Sequence, residues 1–170
     1  MADGMSEEVR AIFQRAQKEP LIAADARGGP PIMDRDAIAE RLPHRDPFLL
    51  VDAVTVLDTE GGLVAARYDL GRAANVLAGH FPGQPVWPGV LQIEAIGQAG
   101  ILAYLAREGG DAPPSVALTH VRGARFIRPV LPGGDVELLA RVIEDGLFFT
   151  IVGQCIRDGA ICSVAAVSGI

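Results

Sequence analysis

The sequence predicts an α+β fold in which a curved antiparallel sheet wraps around one long apolar helix. The helix is expected from about Pro88 to Arg107, and it is apolar nearly all round, which is typical of a helix enclosed by other structure. Two β-rich segments precede it and four follow it without strand–helix–strand alternation, so the sheet should be mostly antiparallel. The apolar helix is the element available to cover one apolar face of that sheet.

The predicted strands are runs of β-forming residues separated by turn residues. They cover 48–57, 63–70, 116–130, 135–143, 147–156 and 160–167. Asp145–Gly146 and Asp158–Gly159 are typical two-residue hairpin turns. Residues 109–114 are expected to form a loop.

The two cysteines lie on either side of the last predicted turn. If Arg157 pairs with Ala160, then Cys155 lies opposite Cys162 on the neighbouring strand, where the two could form a disulfide. A reducing cytoplasm favours two free thiols instead.

Residues 1–31 form an N-terminal extension to a main domain at 32–170. Val9, Ile12, Phe13 and Ala16 recur at helical spacing, and R-G-G-P-P follows at 27–31 as a linker. The extension is either a short amphipathic helix that docks on the body or on a neighbour, or a disordered tail. A second short helix is expected over 34–42, before Pro43.

Composition excludes several classes of function. The 170 residues are 49% apolar and carry a net charge of −6, which argues against a nucleic-acid-binding protein. The polar N-terminus lacks a signal region, and no apolar run approaches the 18 or more residues of a membrane span, so we expect a cytoplasmic protein. An acidic partner would need a local basic patch.

Residues 78–99 read A-G-H-F-P-G-Q-P-V-W-P-G-V-L-Q-I-E-A-I-G-Q-A and form the candidate site. Prolines at every third position, 82, 85 and 88, favour a stiff extended loop, and proline suits the first turn of the helix that follows. His80 stands before this loop, and Glu94 lies within the helix. Each could also be a purely structural residue, since a buried Glu and a loop His are both common.

Together these residues suit acid–base chemistry at a carbonyl compound. Burial should raise the pKa of Glu94, and Gln98, four residues on, could hold its carboxyl by a hydrogen bond. The backbone N–H groups of Gly89 and Val90 have no helical partner and could bind a developing negative charge. This set suits proton abstraction α to a carbonyl with loss of a β-hydroxyl.

Other chemistries lack their motifs. His44 and His120 have no ligand-like spacing to His80, so no metal site is expected. The glycine-rich nucleotide motifs and G-x-S-x-G are missing from the sequence, so neither a nucleotide cofactor nor a serine hydrolase is indicated. We expect no cofactor.

Three blocks of this sequence resemble the β-hydroxyacyl-acyl-carrier-protein dehydratases of bacterial fatty-acid synthesis. They are L-P-H-R-D-P-F-L-L-V-D at 42–52, G-H-F-P-G-Q-P-V-W-P-G-V-L-Q-I-E-A-I-G-Q-A at 79–99 and A-R-F-I-R-P-V-L-P-G-G-D at 124–135. Their order and spacing match the family, and the similarity covers about residues 34–168. Glu94 and the H-F-P-G loop at 80–83 are similar to the plain dehydratase branch of the family. The dehydratase–isomerase branch has Asp at the position of Glu94.

The resemblance implies a hot-dog fold and dehydration of a (3R)-hydroxyacyl thioester to a trans-2-enoyl thioester. It makes His80 the catalytic histidine and Glu94 the catalytic carboxylate. It implies that the N–H of Gly89 holds the thioester carbonyl and that Gln98 orients the carboxylate. The substrate would arrive on acyl carrier protein, and each site would be shared across a homodimer, with dimers often assembled into hexamers.

The acyl tunnel and the carrier-protein contact are less well defined. Phe81 and Trp87 are candidate tunnel residues, and Trp87 stands where the family usually has Met. Arg122, Arg125 and Arg128 are the candidate carrier-protein patch. On a regular strand Arg122 and Arg128 share a face and Arg125 points away, and all three could equally be solvated strand-edge charges.

Two other functions remain open from the sequence. The same fold serves thioesterases, which would release a free acid. A non-catalytic scaffold subunit would also fit if Trp87 blocked the tunnel.

Overall fold

The structure, a computed structural model, describes residues 5–109, 116–145 and 148–170. Within these ranges the helices are α1 (Glu7–Ala16), α2 (Ala24–Arg27), α3 (Arg35–Arg41), α4 (Ala74–Gly79) and α5 (Gly89–Glu108). The strands are β1 (Ala53–Asp58), β2 (Leu63–Asp69), β3 (Leu118–Phe126), β4 (Asp135–Asp145), β5 (Phe148–Arg157) and β6 (Ala160–Gly169). They form one antiparallel sheet in the order β1-β2-β4-β5-β6-β3.

The central helix α5 packs against one face of this sheet, which confirms the predicted fold. Its Ala95, Ile96 and Ala99 share one buried apolar cluster with residues of β4, β5 and β6. The approach is close, because a Cβ on Gly153 of β5 would lie 2.5 Å from Cγ2 of Ile96. Glycine at that position therefore lets the strand and the helix touch.

By length and composition α5 could cross a membrane, although Gln92, Glu94 and Gln98 interrupt its apolar residues. Of its most apolar 18-residue window, 61% is buried inside the fold. The sheet therefore accounts for the hydrophobicity of this helix, as it does for core helices of many globular domains.

The opposite face of the sheet is covered by the N-terminal residues. Ser6 caps α1, and its hydroxyl accepts a hydrogen bond from the N–H of Val9 at 3.3 Å. The apolar stripe of α1, which includes Ile12, packs on Val152 and Val164 of β5 and β6. Of the two possibilities left open by the sequence, the structure shows a docked helix.

The first predicted strand is shorter than expected, because β1 begins only at Ala53. Side chains bind the backbone before it. The Gln98 amide accepts from the N–H of Leu50 and donates to the carbonyl of Phe48, both at 2.8 Å. Arg35 of α3 donates to two further carbonyls of this segment. With those groups satisfied, the chain needs no neighbouring strand there.

The expected alignment of the cysteines was wrong. Arg157 pairs with Ala160 as predicted, but Cys155 pairs with Ser163 and not with Cys162, because an irregularity after Cys155 shifts the register. Both thiols are free and buried, and burial raises the pKa of each. The predicted turn at Asp145–Gly146 and the loop at 109–114 extend outside the described residues.

Candidate active site

His80 directly follows α4, a short helix that was not predicted from the sequence. Its N–H donates to the carbonyls of Val76 and Leu77 at 3.1 and 3.3 Å. Its ring Nδ1 lies 2.8 Å from the carbonyl of Val86. Because a carbonyl only accepts, Nδ1 must carry the hydrogen, which leaves a lone pair on Nε2 in the neutral ring. His80 is therefore oriented to take up a proton at Nε2.

The proline loop after His80 is fixed at both ends by backbone hydrogen bonds. The N–H of Val86 donates to the carbonyl of His80 at 2.7 Å, and the N–H of Trp87 donates to the carbonyl of Val130 at 2.8 Å. Pro88 has extended ψ of 135° and acts as the N-cap of α5, one position before the predicted role in the first helical turn. The loop thereby fixes His80 relative to the tip of α5.

The tip of α5 presents two backbone donors. In the described part of the chain, the N–H groups of Gly89 and Val90 have no hydrogen-bond partner. The ring of Phe126 lies over Gly89, and a Cβ at this position would lie 2.5 Å from Cε1 of the ring. Only glycine fits beneath the ring, so the backbone there stays open to a ligand.

His80 and the helix tip line one cavity of about 390 Å³. Its lining includes His80, Trp87, Gly89, Val90, Phe126 and Arg128. An imidazole that can accept a proton and two residues with unpartnered N–H groups thus line the same space, an arrangement suited to stabilising charge on a carbonyl oxygen while a neighbouring proton is removed.

Glu94 is half-buried one turn further along α5. The Gln98 amide donates to its Oε1 at 2.9 Å, and Nε2 of His44 lies 3.4 Å from the same oxygen. Burial acts to raise the pKa of Glu94, but the hydrogen bonds from His44 and Gln98, with the charge of His44, outweigh it and lower the pKa below its usual value. The predicted rise was therefore wrong.

His44 is the site residue that sequence reasoning missed. Its spacing argued against a metal ligand, yet it lies in L-P-H-R-D-P-F-L-L-V-D, one of the three blocks that resemble the dehydratase family. Gln98 brings that block to the helix by its bonds to Phe48 and Leu50. The presence of His44 in this block was therefore the sequence signal that could have identified its contact with Glu94, fifty residues away.

The structure brings His80, but not Glu94, to the lining of the cavity. Among the described residues no contact joins them, and the cavity that contains His80 is not lined by Glu94. Glu94 lies four residues after Val90 and so on the same side of the helix. Val90 is 70% exposed, so this side of α5 is open to an approaching surface.

The two candidate tunnel residues have different surroundings. Trp87 is fully buried and stacks on Tyr68, with ring centroids 5.6 Å apart, while also lining the cavity. Its indole Nε1 is buried without a hydrogen-bond partner in the described structure. Phe81 is 58% exposed and stacks on the ring of His80.

The structure separates the three candidate arginines. Arg122 donates to the hydroxyl of Ser168. The prediction that Arg122 shares a face with Arg128 assumed a regular strand, but the register of β3 is irregular between Val121 and Gly123. Arg125 is exposed on the strand. Arg128 lies beyond the end of β3 and is the one of the three that lines the cavity.

No cluster of three or more His, Cys, Asp or Glu side chains is close enough to hold a metal ion within 5–109, 116–145 and 148–170.

Solved structures share this fold at low sequence identity. A dehydratase heterocomplex, ApeI:P from Xenorhabdus doucetiae, matches with a TM-score of 0.62 and 20% identity over 78% of this chain and 88% of that one. A mutant thioesterase, PA1618 from Pseudomonas aeruginosa, matches with a TM-score of 0.57 and 17% identity over 81% of this chain and 93% of that one. These matches concern the fold alone.

Sequence comparison is more specific. The chain is 40% identical over 137 residues to a protein from Anaeromyxobacter sp. (strain Fw109-5), covering 78% of this chain and 86% of the relative. It is 42% identical over 138 residues to one from Mannheimia succiniciproducens, covering 79% and 89%. Both relatives are named 3-hydroxyacyl-acyl-carrier-protein dehydratase FabZ. The FabA-like domain model matches residues 42–162, so this chain belongs to the FabA-like domain family.

Proposed function

We propose that this protein dehydrates 3-hydroxyacyl groups carried on acyl carrier protein to trans-2-enoyl groups, in fatty-acid or related lipid synthesis. Relatives at about 40% identity over most of the chain carry that name. The observation that carries the proposal is the cavity that His80 lines together with Gly89 and Val90, whose N–H groups have no hydrogen-bond partner among the described residues. The acyl carrier protein, the cytoplasmic location and the lack of a cofactor are parts of the proposal.

In this reaction the thioester carbonyl accepts hydrogen bonds from the N–H groups of Gly89 and Val90. Nε2 of His80 takes the proton from C2, and the electron pair of that bond forms the C2–C3 double bond. The C3–O bond breaks, and its oxygen leaves as water after taking a proton from Glu94. Each amide donor of this kind contributes about 2.7–4 kcal/mol to transition-state stabilisation.

We propose that the acid and the base come from two copies of the chain, because among the described residues Glu94 does not line the cavity that contains His80. Strand β3 stands at one end of the sheet and pairs on one side only, with β6. Its Val121 and Phe126 are 60% and 57% exposed, and Val90 next to the cavity is also exposed. An open strand edge with exposed apolar side chains favours pairing with another strand. We propose a homodimer joined here, with trimers of dimers as a larger assembly.

The test is an assay of the purified protein with 3-hydroxyacyl and 2-enoyl thioesters on acyl carrier protein. We expect interconversion of the two, and a loss of about 10²–10⁴-fold in His80→Ala and in Glu94→Gln with the fold intact by circular dichroism. Release of free acid would instead identify a thioesterase. Full activity in Glu94→Gln would refute the acid–base assignment.

A further inference from the structure

The two side chains that hold Glu94 both contact the same oxygen. Gln98 donates to Oε1 at 2.9 Å, and Nε2 of His44 lies 3.4 Å from Oε1. In the described residues no hydrogen bond or ion pair reaches Oε2. A carboxylate has lone pairs on both oxygens, so this arrangement leaves one oxygen free to exchange a proton.

The segment around His44 also contacts it, independently of Glu94. The ring of His44 stacks on Phe48 with centroids 6.4 Å apart, and Arg45 donates to its backbone carbonyl at 2.7 Å. Its Nδ1 is buried without a hydrogen-bond partner among the described residues. A buried N–H without an acceptor is unfavourable, so in the neutral ring the hydrogen belongs on Nε2, which lies 3.4 Å from Oε1 of Glu94.

We propose that His44 is a positioning residue of the reaction, which holds Oε1 of Glu94 together with Gln98 so that Oε2 exchanges the proton with the substrate hydroxyl. The proposal rests on the proposed function and adds a residue to it. His44 also stabilises the carboxylate that remains after Glu94 has given up its proton.

The electrostatics at Glu94 agree with this role. Burial raises the pKa of Glu94, while the hydrogen bonds of His44 and Gln98 and the charge of His44 lower it. Within the described residues His44 is the titratable side chain in contact with Glu94, because Gln98 is uncharged. In the proposed dimer, His80 of a second copy also faces Glu94. Without His44, burial would be opposed by Gln98 alone.

The direct test follows the carboxyl carbon of Glu94 by NMR in the full-length protein labelled with ¹³C-glutamate, with the signal assigned by its loss in Glu94→Gln. We expect His44→Leu to raise the pKa of Glu94 by about one unit or more. His44→Gln, which keeps a donor without an ionisable ring, should give a smaller rise. Arg45→Ala is the control, since it disturbs the same segment and keeps the ring.

An unchanged pKa in His44→Leu would overturn the proposal. An equal rise of the Glu94 pKa in Arg45→Ala would also overturn it, because that would indicate a loosened segment. An equal rise in His44→Gln would overturn it as well, because that would show that the hydrogen bond does not matter. This titration needs no substrate, so it can fail or succeed separately from the proposed function.

A second readout connects the contact to the reaction. In the pH profile of kcat/KM, the limb that reports the ionisation of Glu94 should move upward in His44→Leu by the same amount as in the NMR titration, and it should move less in His44→Gln. A limb that stays in place while the pKa of Glu94 moves would overturn the role of His44 in proton exchange. A wild-type protein without dehydratase activity would refute the proposed function and leave the NMR result standing.

Discussion

The ring of Phe126 lies over Gly89, where a Cβ would approach Cε1 to 2.5 Å and Cζ to 2.7 Å. This contact brings the end of β3 to the tip of α5 and closes one side of the cavity. It therefore connects the edge strand of the sheet to the two amide donors that we assign to the thioester carbonyl.

Gly89→Ala should destabilise the protein by roughly 1–3 kcal/mol and reduce dehydratase activity, because the methyl group must displace the ring or tilt the helix tip. Urea unfolding and steady-state assays measure the two effects. Gly29→Ala is the matched control, since no atom lies within 4 Å of a Cβ there. The double variant with Phe126→Ala should recover part of the stability, and the lack of any recovery would contradict the contact.

Trp87→Met should shift substrate preference toward longer acyl chains, since the indole lines the cavity and Met is smaller and more adaptable. Stability should fall by roughly 1–3 kcal/mol because the stack on Tyr68 is lost. The measurement is kcat/KM across carrier-bound substrates of several lengths, with Trp87→Phe as the control that keeps an aromatic ring. An unchanged preference would place the acyl chain elsewhere, and activity that appears only in Trp87→Met would support the blocked-tunnel alternative.

Gln154→Leu should release the N-terminal helix from the sheet. This fully buried amide accepts from the N–H of Leu21 and donates to the carbonyls of Ala16 and Glu19. Because those buried backbone groups lose their hydrogen-bond partner, the free energy of unfolding should fall by about 1–3 kcal/mol.

Limited proteolysis should then cut within residues 1–31 faster than in the wild-type protein. Gln17→Ala is the control, because in the described structure its amide donates to the carbonyl of Phe13 in α1 and makes no hydrogen bond to the sheet. Equal cleavage of Gln154→Leu and the wild type would contradict the role of Gln154 as the anchor of this segment.

Cys155 and Cys162 should stay reduced and react slowly with thiol reagents in the native state. Both are buried, and their raised pKa values keep the thiolate fraction small at pH 8. Mass spectrometry after mild oxidation should show no loss of two hydrogens, and both thiols should become reactive in denaturant. A disulfide between them would contradict the register of β5 and β6.

The fold was predictable because its signals are local and periodic. The apolar surface of α5 and the turn residues between strands are visible in a single sequence, and they led to a sheet around one helix. The shift at Cys155 was not predictable, since a one-residue irregularity changes the pairing without any change in composition. Helix α4 was also missed, because six residues are too few for a periodic pattern.

The candidate site was predictable in its residues but not in its electrostatics. Burial of Glu94 could be inferred from the apolar helix around it. His44, in contrast, lies fifty residues away in the sequence and reaches Glu94 only in the folded chain. The sequence around Glu94 therefore gave no sign that His44 would lower its pKa. The sequence left open whether Arg122 and Arg128 cooperate on one face or are solvated strand-edge charges, and of the three candidate arginines Arg128 lines the cavity.

The central claim, that one active site takes His80 from one copy and Glu94 from another, is tested most directly by mixing two inactive variants. His80→Ala and Glu94→Gln are each purified, unfolded and refolded together at equal concentration, and the dehydratase rate is compared with that of each variant refolded alone. In a two-fold dimer, half of the molecules are mixed, and each of those has one intact site, so we expect about a quarter of the wild-type rate. A mixture as inactive as its components, with mixed dimers confirmed by native mass spectrometry, would contradict the account.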